Sequence, residues 1–138
     1  MQIHFISSGS IQGIIAALGE ENEVTYAITR SRTVKDLKGV RERVDDADIV
    51  VWVPTDNVIH FELGMAIRAD KPIVMYAMES AVPKALPLPI RDAILCYVSE
   101  TDELCSFMKK YSRIYREQDK DKYTEALAKL IFGTGGGE

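Results

Sequence analysis

Glu62 is the residue of this sequence whose type and surroundings point most directly to chemistry. It lies in the segment TDNVIHFELGMAIRADKP (residues 55–72), where Phe61 and Leu63 flank it and the apolar spacing predicts a helix. A carboxylate with apolar neighbours either faces the solvent side of its helix or lies in a cleft, where burial disfavours the charged form and makes the group a candidate acid, base or nucleophile. Asp56, six residues earlier, either caps this helix or belongs to the same site.

A polar turn follows the first apolar run of the chain. Residues 2–6 (QIHFI) predict a buried strand, and residues 7–10 (SSGS) separate it from a helical pattern that starts near Ile11. Free backbone N–H groups and the positive end of a helix dipole at such a turn favour a phosphate or a carboxylate, and serine hydroxyls add donors. Alternatively, the turn is only tight and Ser10 is a helix N-cap. The stretch is neither a Walker motif nor GxGxxG.

Apolar patterns along the chain predict the elements that would position these residues. Strands are expected at residues 2–6, 23–28, 48–53, 71–76 and 93–98, and helices at 10–19, 33–45, around Glu62, and at roughly 101–113 and 117–131. Residues 82–89 predict a Pro-rich loop. Alternation of strands and helices indicates one α/β domain over residues 1–132. We expect a doubly wound five-stranded parallel sheet in the flavodoxin-like order 2-1-3-4-5, with helices on both faces, and a disordered Gly-rich tail at 133–138.

The expected strand order brings two polar stretches together. In the order 2-1-3-4-5 the direction of winding reverses between the first and third strands, and ligands bind beyond the carboxyl ends of the strands at that point. Residues 7–10 follow the first strand, and residues 54–57 follow the third. The sequence therefore predicts one site built from both stretches.

Composition narrows the possible function classes. The 138 residues are 46% hydrophobic and 28% charged, and the net charge of −4 gives no general attraction to nucleic acid or to an anionic membrane. No apolar run approaches the roughly 20 residues that span a bilayer, and the start does not have the pattern of a signal peptide. Two cysteines fit a reduced compartment, so a cytoplasmic location is expected. His4 and His60 stand apart from other ligand types, so no metal is expected.

Three short motifs occur in order along the first half of the chain. They are Gly9-Ser10-Ile11-Gln12-Gly13, then Ala47-Asp48 followed by apolar residues, and then Asp56 with Glu62-Leu-Gly-Met-Ala and Lys71-Pro72. Together they resemble motifs of the nucleoside 2-deoxyribosyltransferase superfamily, which includes the 2′-deoxynucleoside 5′-monophosphate N-glycosidases. The likeness covers residues 3–18 and 40–76, about half of the chain.

The resemblance implies a mechanism. The family glutamate attacks the anomeric carbon of a deoxyribosyl group and a base leaves, which is the logic of retaining glycosidases, so Glu62 would be the nucleophile. Asp56 would lie near the 5′ group of the sugar, where an aspartate favours nucleosides, whereas the serine-rich turn favours a 5′-phosphate. The resemblance also implies a small nucleoside or nucleotide ligand, no cofactor, and a homo-oligomer in which a neighbouring subunit completes the pocket. The residues expected to bind substrate are Phe5, Ser7, Ser8, Gly9, Ser10, Ile11, Thr55 and Asn57.

Departures from the family pattern leave alternative functions open. Val40 stands where the family has an aspartate that contacts the leaving base, with Asp36 and Asp45 each about one turn away. The segment before this position, which forms part of the family's base pocket, is also shorter here. A module of the same fold that binds a nucleotide or nucleotide-sugar without turnover is therefore an alternative, and so is an NAD-cleaving TIR-like enzyme. A receiver domain is disfavoured, because no acidic pair follows the first strand. Trp52 is expected to be core.

Overall fold

Five parallel strands form a single sheet in the computed structural model. The structure describes residues 1–7, 12–19, 22–28, 34–54, 61–77, 86–115 and 120–132. The strands are β1 (Gln2–Ser7), β2 (Glu23–Ile28), β3 (Ile49–Val53), β4 (Ile73–Tyr76) and β5 (Ile94–Val98). The helices are α1 (Gln12–Gly19), α2 (Val34–Asp46), α3 (Phe61–Arg68), α4 (Leu88–Ala93), α5 (Thr101–Tyr115) and α6 (Lys120–Phe132). The sheet order β2-β1-β3-β4-β5 confirms the predicted architecture.

Register assigns the side chains of β1 to the two faces of the sheet. His4 pairs with Thr25 on one side and Val50 on the other, and Ile6 pairs with Trp52. Successive side chains of a strand point to opposite faces, so these residues share one face. Ile6, Val50 and Trp52 belong to a buried cluster that also contains residues of α2 and α3. His4 therefore faces the layer that α2 and α3 form on the sheet.

The core between this face and the two helices consists of small and branched side chains around one large ring. The buried cluster contains Ile6, Val40, Val44, Ala47, Val50, Trp52, Leu63, Ala66, Ile73 and Met75. Val40 and Val44 are one helical turn apart, which places them on the same face of α2. Trp52 is fully buried, which confirms the prediction that it belongs to the core. Each fully buried valine, leucine or isoleucine of this cluster stabilises the fold by about 1.5–3 kcal/mol.

The second face of the sheet is also covered. The alternate residues of β1 and β3 are fully buried as well, namely Ile3, Phe5, Ile49 and Val51. The β1–α1–β2 connection runs along the sheet in the direction opposite to the β3–α3–β4 connection. Since crossovers between parallel strands are right-handed, α1 and α3 lie on opposite faces. Burial on both faces explains why β3 is a continuous apolar run.

Helix α4 replaces the last part of the predicted Pro-rich loop. Pro89 lies in the first turn of α4, where a missing backbone N–H has no cost because it would have no intrahelical partner. The amides of Ile90 and Arg91 donate to the carbonyl of Pro87, each over 3.0 Å. The prolines therefore begin a helix rather than prevent one, and β5 starts at Ile94.

The chain divides into two compact units, Met1–Glu100 and a unit that begins at Thr101. In the second unit, α5 and α6 contact each other. Phe107, Tyr111 and Tyr115 stack in sequence along α5, with ring centroids 6.1 and 6.2 Å apart. The single domain expected over residues 1–132 stays a prediction, and the tail at 133–138 lies outside the described residues. No helix in the described part of the chain is long and apolar enough to cross a membrane.

Candidate active site

Glu62 is a fully buried carboxylate in the first turn of α3. The structure therefore excludes the alternative in which it faces solvent. The N-terminal end of a helix carries partial positive charge, and this stabilises an acidic side chain in the first turn by about 0.3–1 kcal/mol. Leu63, the next residue, belongs to the core that α3 shares with the sheet. Packing of α3 thus fixes the backbone that carries the carboxylate.

His4 lies in the same layer, and its own ring is fully buried and neutral. Its Nδ1 is 2.7 Å from Oγ1 of Thr25 on the neighbouring strand. Burial lowers the pKa of His4 to about 4, the positive charge of Arg43 lowers it as well, and the negative charge of Glu62 acts in the opposite direction. At pH 7 the imidazole is therefore uncharged. It lies within the electrostatic reach of one cation and one anion.

Arg43 is a half-buried arginine of α2 whose positive charge acts on the His4 ring. Its Nε is buried and has no hydrogen-bond partner among the described residues. Its Nη1 lies 3.5 Å from the position that a Cβ at residue 39 would occupy, so the side chain extends back along the helix over Gly39. Because α2 runs antiparallel to the strands, this direction is toward the carboxyl end of the sheet. The charge of Arg43 on α2 thus acts on a layer that contains the buried His4 of β1 and Glu62 of α3.

Sequence reasoning missed the grouping of these three residues. In the sequence His4 is an isolated strand histidine, and no motif marks Arg43 as a site residue. The signal available was the helical spacing of Val40 and Val44, since Arg43 adjoins the buried face of α2 that they define. Whether His4 lies on the same face depended on strand register, which the sequence pattern does not specify for a strand that is apolar on both faces.

The predicted substrate-binding residues that the structure describes lie on β1. Phe5 is fully buried and Ser7 is 2% exposed, and both face away from the layer that contains His4. Ser7 is the last residue of β1 and pairs with Val53 at the end of β3, so the carboxyl ends of these strands are adjacent, as the strand order predicts. The other expected site residues lie outside the described residues, namely Ser8, Gly9, Ser10, Ile11, Thr55, Asp56 and Asn57. Their roles stay predictions.

The remaining motif residues lie at the opposite end of the sheet. Oδ2 of Asp48 accepts a hydrogen bond of 2.7 Å from the backbone N–H of Gln2, where β1 begins. Nζ of Lys71 donates over 2.8 Å to the carbonyl of Asp45 in the last turn of α2. The carbonyl of Pro72 accepts over 2.9 Å from Val50. These contacts hold α2 and the amino ends of β1 and β3, so this part of the motif is structural.

Among solved structures, the chain is similar to Clostridium botulinum CMP N-glycosidase, BcmB. The TM-score is 0.57 with 16% sequence identity, over 79% of this chain and 98% of that chain. No family model and no curated protein matches the sequence. At this level of identity the likeness establishes a shared fold, and it extends beyond the two segments that carry the sequence motifs.

Val40, which aligns with an aspartate in the family that the sequence resembles, belongs to the core. Val40 is 2% exposed and packs in the cluster beneath α2 and α3. Asp45 is no substitute, because its side chain is 54% exposed and lies 4.0 Å from Arg41 on the surface of α2. The side chain of Asp36 lies outside the described residues. Within the described part of the chain, no three His, Cys, Asp or Glu side chains are grouped so as to hold a metal ion.

Proposed function

We propose that this protein is an N-glycosidase or deoxyribosyltransferase that acts on the N-glycosidic bond of a nucleoside or nucleotide, with Glu62 as the nucleophile. The observation that carries the proposal is the complete burial of Glu62 in the first turn of α3, beyond the carboxyl end of β3. The fold similarity to a CMP N-glycosidase supports the reaction class, and the Glu62 motif supports the residue. Membership of the deoxyribosyltransferase superfamily is part of this proposal.

The chemistry follows from a carboxylate placed beside a sugar. One oxygen of Glu62 bonds to the anomeric carbon as the bond from that carbon to the base nitrogen breaks, and the base leaves with the electron pair and takes up a proton. Water then hydrolyses the glycosyl ester and restores the carboxylate, or a second base accepts the sugar. Asp56 is proposed as the second catalytic group, near the 5′ side of the sugar.

The burial of Glu62 has a consequence for substrate entry. A carboxylate with no exposed surface reaches a substrate only after neighbouring groups move. A site that closes again around the sugar excludes water, which strengthens electrostatic stabilisation of an oxocarbenium-like centre. We therefore propose that substrate binding and an opening of the site are coupled steps.

The proposed ligand is a small nucleoside or 5′-monophosphate. The serine-rich stretch at residues 7–10 offers donors to a phosphate, whereas Asp56 favours an uncharged 5′ hydroxyl. No cofactor has a role, since the carboxylate supplies the nucleophile. A homo-oligomer whose neighbouring subunit completes the pocket is part of the proposal, as is a cytoplasmic location.

The decisive experiment is release of free base from a panel of nucleosides, nucleoside monophosphates including CMP, and NAD. We expect release from one class, at least about 1,000-fold slower in Glu62→Gln, because the amide has almost the same shape but is a far weaker nucleophile. Glu42→Gln is the matched control, since Glu42 is an exposed glutamate of α2. A mass shift equal to one glycosyl group on rapidly quenched protein would identify the ester. Equal rates in Glu62→Gln and wild type would contradict the assignment.

A silent binding module is the second candidate, and Val40 favours it. The valine removes a carboxylate that would contact the leaving base and replaces it with core packing. A binding module would retain a nucleotide in equilibrium dialysis and would release no base from any compound of the panel. The Glu62→Gln variant would bind the nucleotide as tightly as the wild type. Base release from NAD alone would instead support the TIR-like alternative.

A further inference from the structure

The register between β4 and the edge strand β5 shifts by one residue. Ile73 pairs with Ile94, but the next residue of β4 pairs with Cys96. Leu95 is therefore an extra residue in β5, which is the arrangement of a β-bulge. Without the bulge, the alternation of side chains along the strand would turn Tyr97 to the opposite face of the sheet. Bulges are common at sheet edges and next to active sites, where they re-aim a side chain.

The bulge places Tyr97 on the face of the sheet that α3 covers. Tyr97 pairs with Met75, and Met75 pairs with Trp52 of β3. Met75 and Trp52 belong to the buried cluster that contains residues of α3. Glu62 lies in the first turn of α3, and Tyr97 is the second-last residue of β5. Since neighbouring strands are about 4.8 Å apart, β3 and β5 are separated by about 10 Å. Tyr97 and the start of α3 therefore share one face and the carboxyl end of the sheet.

A hydrogen bond directs the side chain of Tyr97 along this end of the sheet. Its hydroxyl donates over 2.8 Å to the carbonyl of Ala77, the residue that follows β4. The amide of Ala77 donates over 3.1 Å to the carbonyl of Val98, so this residue is held to β5 on both sides. Tyr97 is nevertheless 41% exposed. Because its hydroxyl is engaged within the protein, the part of the side chain that suits a ligand is the aromatic ring.

We propose that Tyr97 is a substrate-binding residue whose ring stacks on the base of the nucleoside or nucleotide. The proposal rests on the reaction at Glu62 proposed above. Aromatic rings stack on any nucleobase, because every base has a π-face. Val40 places core packing where the family has a carboxylate that contacts the base, so the base needs another contact in this chain. The ligand then lies across the sheet, with its 5′ group at residues 7–10 after β1 and its base toward β4 and β5.

Two substitutions of Tyr97 separate the ring from the hydroxyl. On the base-releasing substrate, Tyr97→Leu should raise KM at least about fivefold and leave kcat nearly unchanged, because stacking holds the substrate and the transition state alike. Tyr97→Phe keeps the ring and loses only the hydrogen bond to Ala77, so its KM should stay close to that of the wild type. An equal rise of KM in both variants would assign the effect to the hydrogen bond and overturn the proposal. An unchanged KM in Tyr97→Leu would also overturn it.

Tyr115 provides the matched control. It is 44% exposed, and its ring already stacks on Tyr111 of the same helix, with the ring centroids 6.2 Å apart. Tyr115→Leu should therefore leave KM at the wild-type value. A rise equal to that in Tyr97→Leu would contradict a specific role of Tyr97.

Nuclear magnetic resonance of ring-labelled tyrosines tests the contact without turnover, and also if Tyr97→Leu does not fold. The protein has six tyrosines, and the signal that disappears in Tyr97→Phe belongs to Tyr97. At least one nucleoside or nucleoside monophosphate of the panel should shift this signal, because a stacked base changes the magnetic environment of the ring. The signal of Tyr115 should stay in place. A Tyr97 signal that no compound of the panel moves would overturn the proposal.

The two proposals fail in different ways. A shifted Tyr97 signal without base release from any compound would keep Tyr97 in the ligand site and overturn the glycosidase. Base release with an unmoved Tyr97 signal would keep Glu62 as the nucleophile and overturn the role of Tyr97.

Discussion

Burial is the main reason why His4 is uncharged at neutral pH, because burial makes the largest contribution to its lowered pKa. Thr25 lies 2.7 Å from Nδ1, and a threonine hydroxyl either donates or accepts, so it accommodates either neutral tautomer. The opposing fields of Arg43 and Glu62 act on the same ring. A neutral imidazole at this buried position adds no third charge to those of Arg43 and Glu62. At the residue scale, the candidate site therefore contains a fully buried carboxylate and a fully buried neutral imidazole, and a half-buried guanidinium acts on the imidazole.

The lowered pKa of His4 predicts that the protein loses stability in mild acid. Below pH 6.5 the unfolded chain takes up a proton on His4, whereas the folded chain does not until about pH 4. Stability therefore falls as the pH drops through this window, by about 3 kcal/mol in total, because one pKa unit is worth about 1.4 kcal/mol. The contribution is fully retained above pH 6.5.

Urea unfolding of wild type and His4→Gln at several pH values between 4 and 7.5 measures this contribution. The difference between the two stability curves isolates His4 from other titrating groups, and Arg43 and Glu62 are the charged groups whose fields reach the ring. We expect the wild-type curve to decline more steeply toward pH 4. Parallel curves would show that the folded His4 titrates normally.

At the element scale, the end of α3 is fixed by backbone geometry. Asp70 has φ 53°, the left-handed conformation, and its amide donates to Ile67 O over 3.1 Å. The amide of Lys71 donates to Ala66 O over 3.0 Å. This pair of bonds is the Schellman arrangement that ends many helices, usually with glycine at the left-handed position. The same turn aims the Lys71 side chain at the carbonyl of Asp45, which joins α3 to the end of α2.

Asp70→Gly is expected to stabilise the fold by about 0.5 kcal/mol, because glycine adopts positive φ without a Cβ clash. Asp70→Ala should have the opposite effect, about 1 kcal/mol of destabilisation, because alanine lacks the short polar side chain that eases this conformation for aspartate. The midpoint of urea unfolding measures both. A less stable Asp70→Gly would mean that the aspartate side chain has a role that the backbone does not explain.

The elements were more predictable from sequence than the site. The strands β1 and β3 are apolar on both faces, which indicates a central parallel strand from composition alone. The prolines of residues 82–89 predict a loop, whereas Pro89 lies in the first turn of α4, where proline is compatible with a helix. The grouping of His4, Arg43 and Glu62 depends on strand register and helix packing, which link residues far apart in the chain and leave no local pattern.

At the scale of the whole molecule, the two ends of the sheet have different tasks. The amino end is held by the Asp48–Gln2 and Lys71–Asp45 hydrogen bonds. The carboxyl end brings Ser7 next to Val53, and Glu62 follows β3 in α3. The motif residues therefore lie at both ends of the sheet, and the proposed chemistry belongs to the carboxyl end. Substitution of Lys71 should lower the free energy of unfolding and leave the rate of base release unchanged. Substitution of Glu62 should instead lower the rate of base release.

The resemblance to the nucleoside 2-deoxyribosyltransferase superfamily implies that the protein assembles. We expect a homo-oligomer, a dimer or larger, so light scattering should give a particle mass of at least twice 15.4 kDa. Among the described residues, Leu88 at 65% and Phe132 at 81% are the most exposed large apolar side chains, and they belong to different units of the chain. Burying either against a second copy would gain about 1.5–3 kcal/mol. Leu88→Ser and Phe132→Ser therefore report which unit carries the interface, since only the variant at the interface should dissociate. A mass of 15.4 kDa at every concentration would contradict assembly, and base release by that monomer would show that one subunit completes the site.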